Sequence, residues 1–155
     1  NAYCQDNGIS WVDWSLLRKN RDLCEFTRKA IGFRKAHPAL WRTSFFDGRE
    51  NVGGFPDIRW YGPGGAPQPD WEKGGALACR IDGQWEHTGA AEDDDHLFLI
   101  FNPGEEPQVF ELPSNATGSP WELAFSTQEK EPVIQIKGKA SVMVDGHSVT
   151  AFTSR

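Results

Sequence analysis

The sequence predicts a mainly β protein, an antiparallel β-sandwich preceded by one long helix. Three observations carry that expectation. Residues from about Ser15 to Ala36 place apolar side chains at helical spacing. From Gly75 onward, short apolar or alternating runs recur at the ~8–12-residue intervals of an all-β domain. Between these regions, at about 45–75, glycine and proline break the chain into a linking segment. A length of 155 residues allows one domain with a core, or one small domain plus an appendage.

In the helical run, Leu16, Leu23, Phe26, Ala30 and Phe33 fall on one stripe. Arg18, Lys19, Arg21, Arg28, Lys29, Arg34 and Lys35 populate the rest. Ser15 or Asn20 is available to cap the start. The basic last turn suits the negative end of the helix dipole. Pro38 stops the helix, because the residue before a proline avoids the helical region. In the linking segment, Gly53-Gly-Phe-Pro56 and Gly62-Pro-Gly-Gly-Ala-Pro67 read as loops flanking a short strand at Ile58–Tyr61. Trp60 and Trp71 are expected to pack on neighbouring strands.

The strand series begins with Ala76–Ile81, closed by Asp82-Gly83, a hairpin signal. His96–Asn102 is almost continuously apolar and reads as a strand buried on both faces. Asn102-Pro-Gly-Glu105 turns it. Gln108–Leu112, Trp121–Phe125, Val133–Ile136, Ala140–Val144 and Ser148–Phe152 follow, with Asp145-Gly146 as a tight-turn signal between the last two.

Composition excludes several function classes. A net charge of -6 and a pI near 5.2 argue against nucleic acid, which needs a basic face. No run approaches the ~20 apolar residues of a membrane span. Cys4, Cys24 and Cys79 are odd in number and widely spaced, so they form neither a disulfide framework nor a zinc pattern; they suit a reducing cytoplasm. Cys24 and Cys79 read as small buried hydrophobes. His37, His87, His96 and His147 are scattered without ligand spacing. Glu92-Asp-Asp-Asp95 offers clustered oxygens but no EF-hand pattern, and reads as a solvated hairpin loop. No phosphate loop or nucleophile elbow appears, and no metal or cofactor is expected.

The opening, Asn1 to Trp14, is a polar loop ending in two tryptophans. It carries no initiator Met and no solvating tail, which suits a piece of a longer chain. Tyr3, Gln5, Asp6 and Asn7 are the candidate substrate-binding residues. Their amides, carboxylate and phenol can bond sugar hydroxyls, and nearby indoles can meet the C–H face of a pyranose. The alternative is an ordinary loop leading into a helix, since Asn, Asp and Gly also collect in turns for backbone reasons. Asp13 reads as a hydrogen-bonding residue at the helix start.

Asn1-Ala-Tyr-Cys-Gln-Asp-Asn7 and Ser10-Trp-Val-Asp-Trp14 resemble the loop after the last barrel strand of bacterial glycogen-debranching enzymes, the isoamylase-type members of the α-amylase superfamily. Phe33-Arg-Lys-Ala-His-Pro38 with Leu40 and Arg42, Phe45-Phe-Asp-Gly48, Asp57-Ile-Arg-Trp60, Asp70-Trp71, Leu97 to Asn102 and Phe110-Glu-Leu-Pro113 continue the resemblance in order. Gly8 departs from it, standing where relatives often carry an acidic residue.

The resemblance implies that residues 1–40 are the last loop and helix of a truncated (β/α)8 barrel, and 41–155 the C-terminal β-sandwich domain. It implies an enzyme that hydrolyses α-1,6-glucosidic branch linkages in glycogen or limit dextrin. It places the catalytic carboxylates on barrel strands before this chain, so no residue here inherits a catalytic role and the chain alone is expected to be inactive. Its expected role is structural, holding the last loop at the substrate rim. Two other readings stand beside this one. The sandwich could bind α-glucan through Trp60, Trp71, Trp85 and Trp121. A helix whose stripe is written for an absent sheet could also drive self-association.

Overall fold

A computed structural model of the protein describes residues 2–155 except 115–117, 129, 131 and 138. The chain divides into two compact units, Asn1–Phe33 and Arg34–Arg155.

In the first unit the opening loop leads to helix α1 (Leu16–Lys19), and α2 (Arg21–Ala36) runs on into the next unit. The single expected helix is interrupted at Asn20, whose backbone leaves the helical region at φ -115° and ψ 46°. Its N–H still closes α1 on the Leu16 carbonyl, and its own carbonyl receives the Cys24 N–H that starts α2. Asparagine tolerates such breaks because its side chain competes with regular backbone bonding. Ser15 occupies the start position but makes no capping bond. The Asp13 carboxylate instead accepts the Ser15 N–H at 2.9 Å. No residue within α1 or α2 is buried, and Leu16, Leu17, Leu23 and Ile31 are exposed.

The second unit holds the strands β1 (Ile58–Tyr61), β2 (Leu77–Ile81), β3 (His96–Asn102), β4 (Gln108–Glu111), β5 (Glu122–Ser126), β6 (Ile134–Lys137), β7 (Lys139–Val144) and β8 (Ser148–Ser154), with a short helix α3 (Trp85–Thr88) between β2 and β3. A five-stranded sheet runs β1-β2-β3-β8-β5 and a three-stranded sheet β4-β7-β6, every pair antiparallel. Register sets Phe98 opposite Phe152 and Phe110 opposite Val142. With Ala78, Ile100, Leu112, Trp121 and Val144 these side chains form the core. Phe98 is its centre, touched by the rings of Tyr61 at 5.6 Å and Trp121 at 5.7 Å. Tilted and edge-on ring pairs of this kind add to burial.

Strand β3 is buried on both faces at its start, where Leu97 and Phe98 are inaccessible, while Phe101 surfaces near its end. The sequence pattern therefore identifies the central strand, since only a strand covered on both sides reads as continuously apolar.

The turns depart from expectation. Asp82-Gly83 opens no tight hairpin; residues 82–95, including α3, join β2 to β3. Gly83 is there because a Cβ would strike the carbonyls of Asp94 and Asp95. Asp145-Gly146 makes no hairpin either, because β7 and β8 lie in different sheets. The β3–β4 and β7–β8 connections both cross between sheets. Buried Asn102 ties them together, donating from Nδ2 to the carbonyls of Glu106 and Asp145 at 2.9 Å each. His147 takes a φ of 52° and donates its N–H to the Gly104 carbonyl.

The acidic loop is not simply solvated. Asp94 turns inward, where its carboxylate bonds His37 Nδ1 at 2.8 Å and the Ala39 N–H at 3.1 Å. Asp57 anchors the linking segment, accepting from Arg42 Nη1 at 2.9 Å and from the N–H groups of Asp47 and Gly48. Trp71 packs edge-on against Trp60 of the edge strand β1, at 5.6 Å. All three cysteines are free. Cys79 is buried, and that burial pushes its thiol up to about 12; Cys24 is only half-buried and Cys4 is exposed. Among the described residues no helix is long and apolar enough to cross a membrane.

Candidate functional site

Residues 5–11 fold as a turn held by their own polar groups. Asn7 organises it. Its Oδ1 accepts the Ile9 N–H at 3.0 Å, its Nδ2 donates to Gln5 Oε1 at 3.2 Å, and its carbonyl accepts the N–H groups of Ser10 and Trp11. The Ser10 hydroxyl donates to the Gln5 carbonyl. Trp11 Nε1 donates to Asp6 Oδ1 at 2.8 Å, which fixes the carboxylate and the indole relative to each other. Such side chain to backbone bonds are how Asn and Ser shape a loop without regular structure.

Gln5, Asp6 and Asn7 thus share one turn with Ser10 and Trp11. Tyr3 stands ahead of it, 82% exposed. Trp11 and Trp14 are 66% and 76% exposed, so the loop presents indole faces beside a carboxylate and an amide. Much of Asn7's bonding capacity is used inside the loop, whereas Asp6 keeps one carboxylate oxygen outside the Trp11 bond. Asp13 serves the helix start: hydrogen bonds from the Ser15 side chain and backbone hold its carboxyl below the usual range. The loop offers fixed donors, acceptors and flat apolar faces, suited to orienting polyhydroxylated molecules. Retaining glycoside hydrolysis needs two carboxyl groups ~5–5.5 Å apart in nucleophile and acid roles. Asp13 accepts the Ser15 N–H at the helix start.

The aromatic candidates of the sandwich separate. Trp121 is buried and donates its indole N–H to the Pro113 carbonyl at 2.7 Å, a structural role. Trp60, Trp71 and Trp85 remain accessible.

A buried polar cluster escapes any linear reading of the sequence. The Asp82 carboxylate accepts from Asn51 Nδ2 at 3.0 Å and Arg80 Nη2 at 3.1 Å. His87 Nδ1 lies 3.0 Å from it and His96 Nδ1 3.1 Å. Burial works to raise the Asp82 pKa, but the His96 bond and charge, the Arg80 charge and the Asn51 amide outweigh it and hold it at about 2. No local pattern in the sequence marks the cluster, because its members come from separate elements. Among the described residues, no group of three or more His, Cys, Asp or Glu is placed to hold a metal ion.

Solved structures share this architecture. A pullulanase from Paenibacillus barengoltzii in complex with maltotriose superimposes with a TM-score of 0.61 at 22% identity, over 94% of this chain and 19% of that one. An α-amylase from H. orenii gives 0.54 at 17% identity, over 92% and 22%. The chain thus shares the fold of about a fifth of each of these proteins.

Sequence relatives narrow the class. A "glycogen operon protein GlgX homolog" from Mycobacterium bovis is 34% identical over 139 residues, 83% of this chain and 19% of its own length. An "isoamylase" from Flavobacterium sp. is 32% identical across all of this chain and 20% of its own length. A "glycogen debranching enzyme" from Escherichia fergusonii is 38% identical over 76 residues. No family model matches. The chain belongs to the isoamylase-type glycogen-debranching family, as a C-terminal part, and spans about a fifth of the length of the curated relatives it matches.

Proposed function

We propose that the protein to which this chain belongs is a glycoside hydrolase cleaving α-1,6-glucosidic branch linkages in glycogen or limit dextrin, with this chain as a non-catalytic part. The observation that carries the reading is the sequence match to debranching relatives across 83% to 100% of the chain. In this reading Tyr3, Gln5, Asp6 and Asn7 stand at the rim of the substrate site. The self-bonded turn that fixes Asp6 against Trp11 favours a positioned polar rim over a loose lead-in. The chain makes no bond-breaking contribution. The free thiols suit a cytoplasmic location.

The test has two arms. The purified chain should release no reducing ends from limit dextrin; turnover that copurifies with the chain through successive columns would refute its non-catalytic role. In the full-length enzyme, Asp6→Ala should raise KM for branched glucan about tenfold with little change in kcat, the signature of lost ground-state binding. An unchanged KM would remove Asp6 from the rim.

One observation favours a second reading, an α-glucan-binding module. Trp71 is 58% exposed and braced edge-on by Trp60, a geometry able to stack a pyranose. Titration with maltoheptaose decides it: saturable heat abolished by Trp71→Ala supports the module, and no heat at millimolar sugar dismisses it. The exposed Leu16, Leu17, Leu23 and Ile31 also make self-association of this chain a reading. Sedimentation showing only monomer at high concentration would dismiss that one.

A further inference from the structure

Antiparallel pairing sets Arg59 of β1 opposite Arg80 of β2, and Tyr61 opposite Ala78. Ala78 belongs to the core between the sheets, so alternation along the strands puts all four side chains on that inner face. There the two sheets part around a cavity of about 840 Å³, with Tyr61, Phe55, Leu112, Trp121 and Ile134 among its apolar walls. Small-ligand sites are typically clefts of roughly 300–1,000 Å³ with mainly apolar walls and a few placed polar groups.

The placed polar groups here are guanidiniums. Arg80 lines the cavity yet is only 1% exposed. Its Nη2 donates to Asp82 Oδ1 at 3.1 Å, and its plane rests on the Phe55 ring at 4.6 Å. Its Nε and Nη1 are buried with no acceptor among the described residues. Buried donors almost always find a partner, and an unpaired one is costly. Arg59 lines the same cavity, and its like charge works, with the larger effect of burial, to lower the pKa of Arg80. Lys139 also reaches the cavity but is already paired with Glu111 Oε2 at 2.9 Å. Arg59, Arg80 and the Lys139–Glu111 pair thus line one largely apolar-walled space, and Arg80 carries buried donors without an acceptor among the described residues. Asp82 is the countercharge of Arg80, whereas Arg59 has none among the described residues.

We propose that this cavity binds a small oxyanion-bearing ligand of monosaccharide size, a phosphate or carboxylate held by Arg59 and Arg80 with its body against Tyr61, Phe55 and Trp121. Guanidinium is suited to this role because its rigid fork matches the oxygens of carboxylate and phosphate. The site does not depend on the debranching reading.

Calorimetric titration of the 155-residue chain tests it, with glucose 6-phosphate, gluconate and glucose as probes. Either anion should bind saturably below about 10 mM while glucose gives no heat. Binding by glucose 6-phosphate alone assigns a phosphate site, by gluconate alone a carboxylate site, and by both a general oxyanion site. Arg59→Gln, at an exposed position on the edge strand, should weaken binding about tenfold or more. Lys139→Gln should weaken it less than about threefold, since Lys139 is already neutralised. No binding of either anion, equal binding of glucose, or anion binding indifferent to Arg59→Gln would each overturn the proposal. Arg59→Gln decides the outcome even if substitution of Arg80, with its Asp82 pairing, unfolds the chain.

Discussion

Replacing Asp82 removes the acceptor that the buried side chains of Asn51, Arg80 and His87 share. Asn51 and Arg80 donate to it, and His87 and His96 each place Nδ1 within about 3.1 Å of it. Two steps set the magnitude. The carboxyl is held at about 2 instead of 3.8, so its charge is favoured in the fold by an energy on the order of 2 kcal/mol at neutral pH. Removing one partner of a buried pair also strands the other charge, at about 3–5 kcal/mol in total. Asp82→Asn, which keeps the shape, should therefore cost roughly 2–3 kcal/mol, and Asp82→Ala roughly 3–5 kcal/mol. Domains are stable by only about 5–15 kcal/mol, so either change takes a large share.

The assay is urea unfolding followed by tryptophan fluorescence, with the midpoint and slope fitted together. The pH dependence has a defined sign. The folded pKa lies below the unfolded value, so this stability is present above about 3.8 and is lost as pH falls toward about 2. Asp82→Asn should flatten that part of the acid limb. A loss below about 0.5 kcal/mol, typical of surface changes, would refute the reasoning, as would an unchanged acid limb.

Asn102→Ala should cost about 2 kcal/mol in the same assay, because it leaves the carbonyls of Glu106 and Asp145 without their shared donor where two connections cross between sheets. Gly83→Ala should cost more than about 2 kcal/mol, since the added methyl meets the carbonyls of Asp94 and Asp95; a neutral result would mean the loop gives way freely. Cys79 should resist a thiol reagent in the native protein and react only on unfolding, because burial pushes its thiol up to about 12, while exposed Cys4 reacts at once. Mass spectrometry of the labelled protein distinguishes the two.

The strands are legible in the sequence because their signals are local. Ile58–Tyr61, His96–Asn102 and Gln108–Glu111 each announce themselves by alternation or a continuous apolar run between turn residues. Sheet membership is not legible, since a turn signal such as Asp145-Gly146 marks a reversal without naming the strand that will pair. The polar loop at residues 3–14 is likewise readable, because its bonds span only a few positions; the Trp11–Asp6 bond links neighbours five apart.

By itself, then, the sequence determined the strand-rich class, the helical run and the chemistry of the opening loop, all consequences of side-chain order over short spans. Tertiary structure alone decided which strands cross between sheets and how Asn51, Arg80, His87 and His96 converge on Asp82. It also decided that Arg59 and Arg80 face one cavity, because that placement depends on which strand lies beside which. Pairing partners are chosen by the burial of whole faces, and no short window of sequence contains that information.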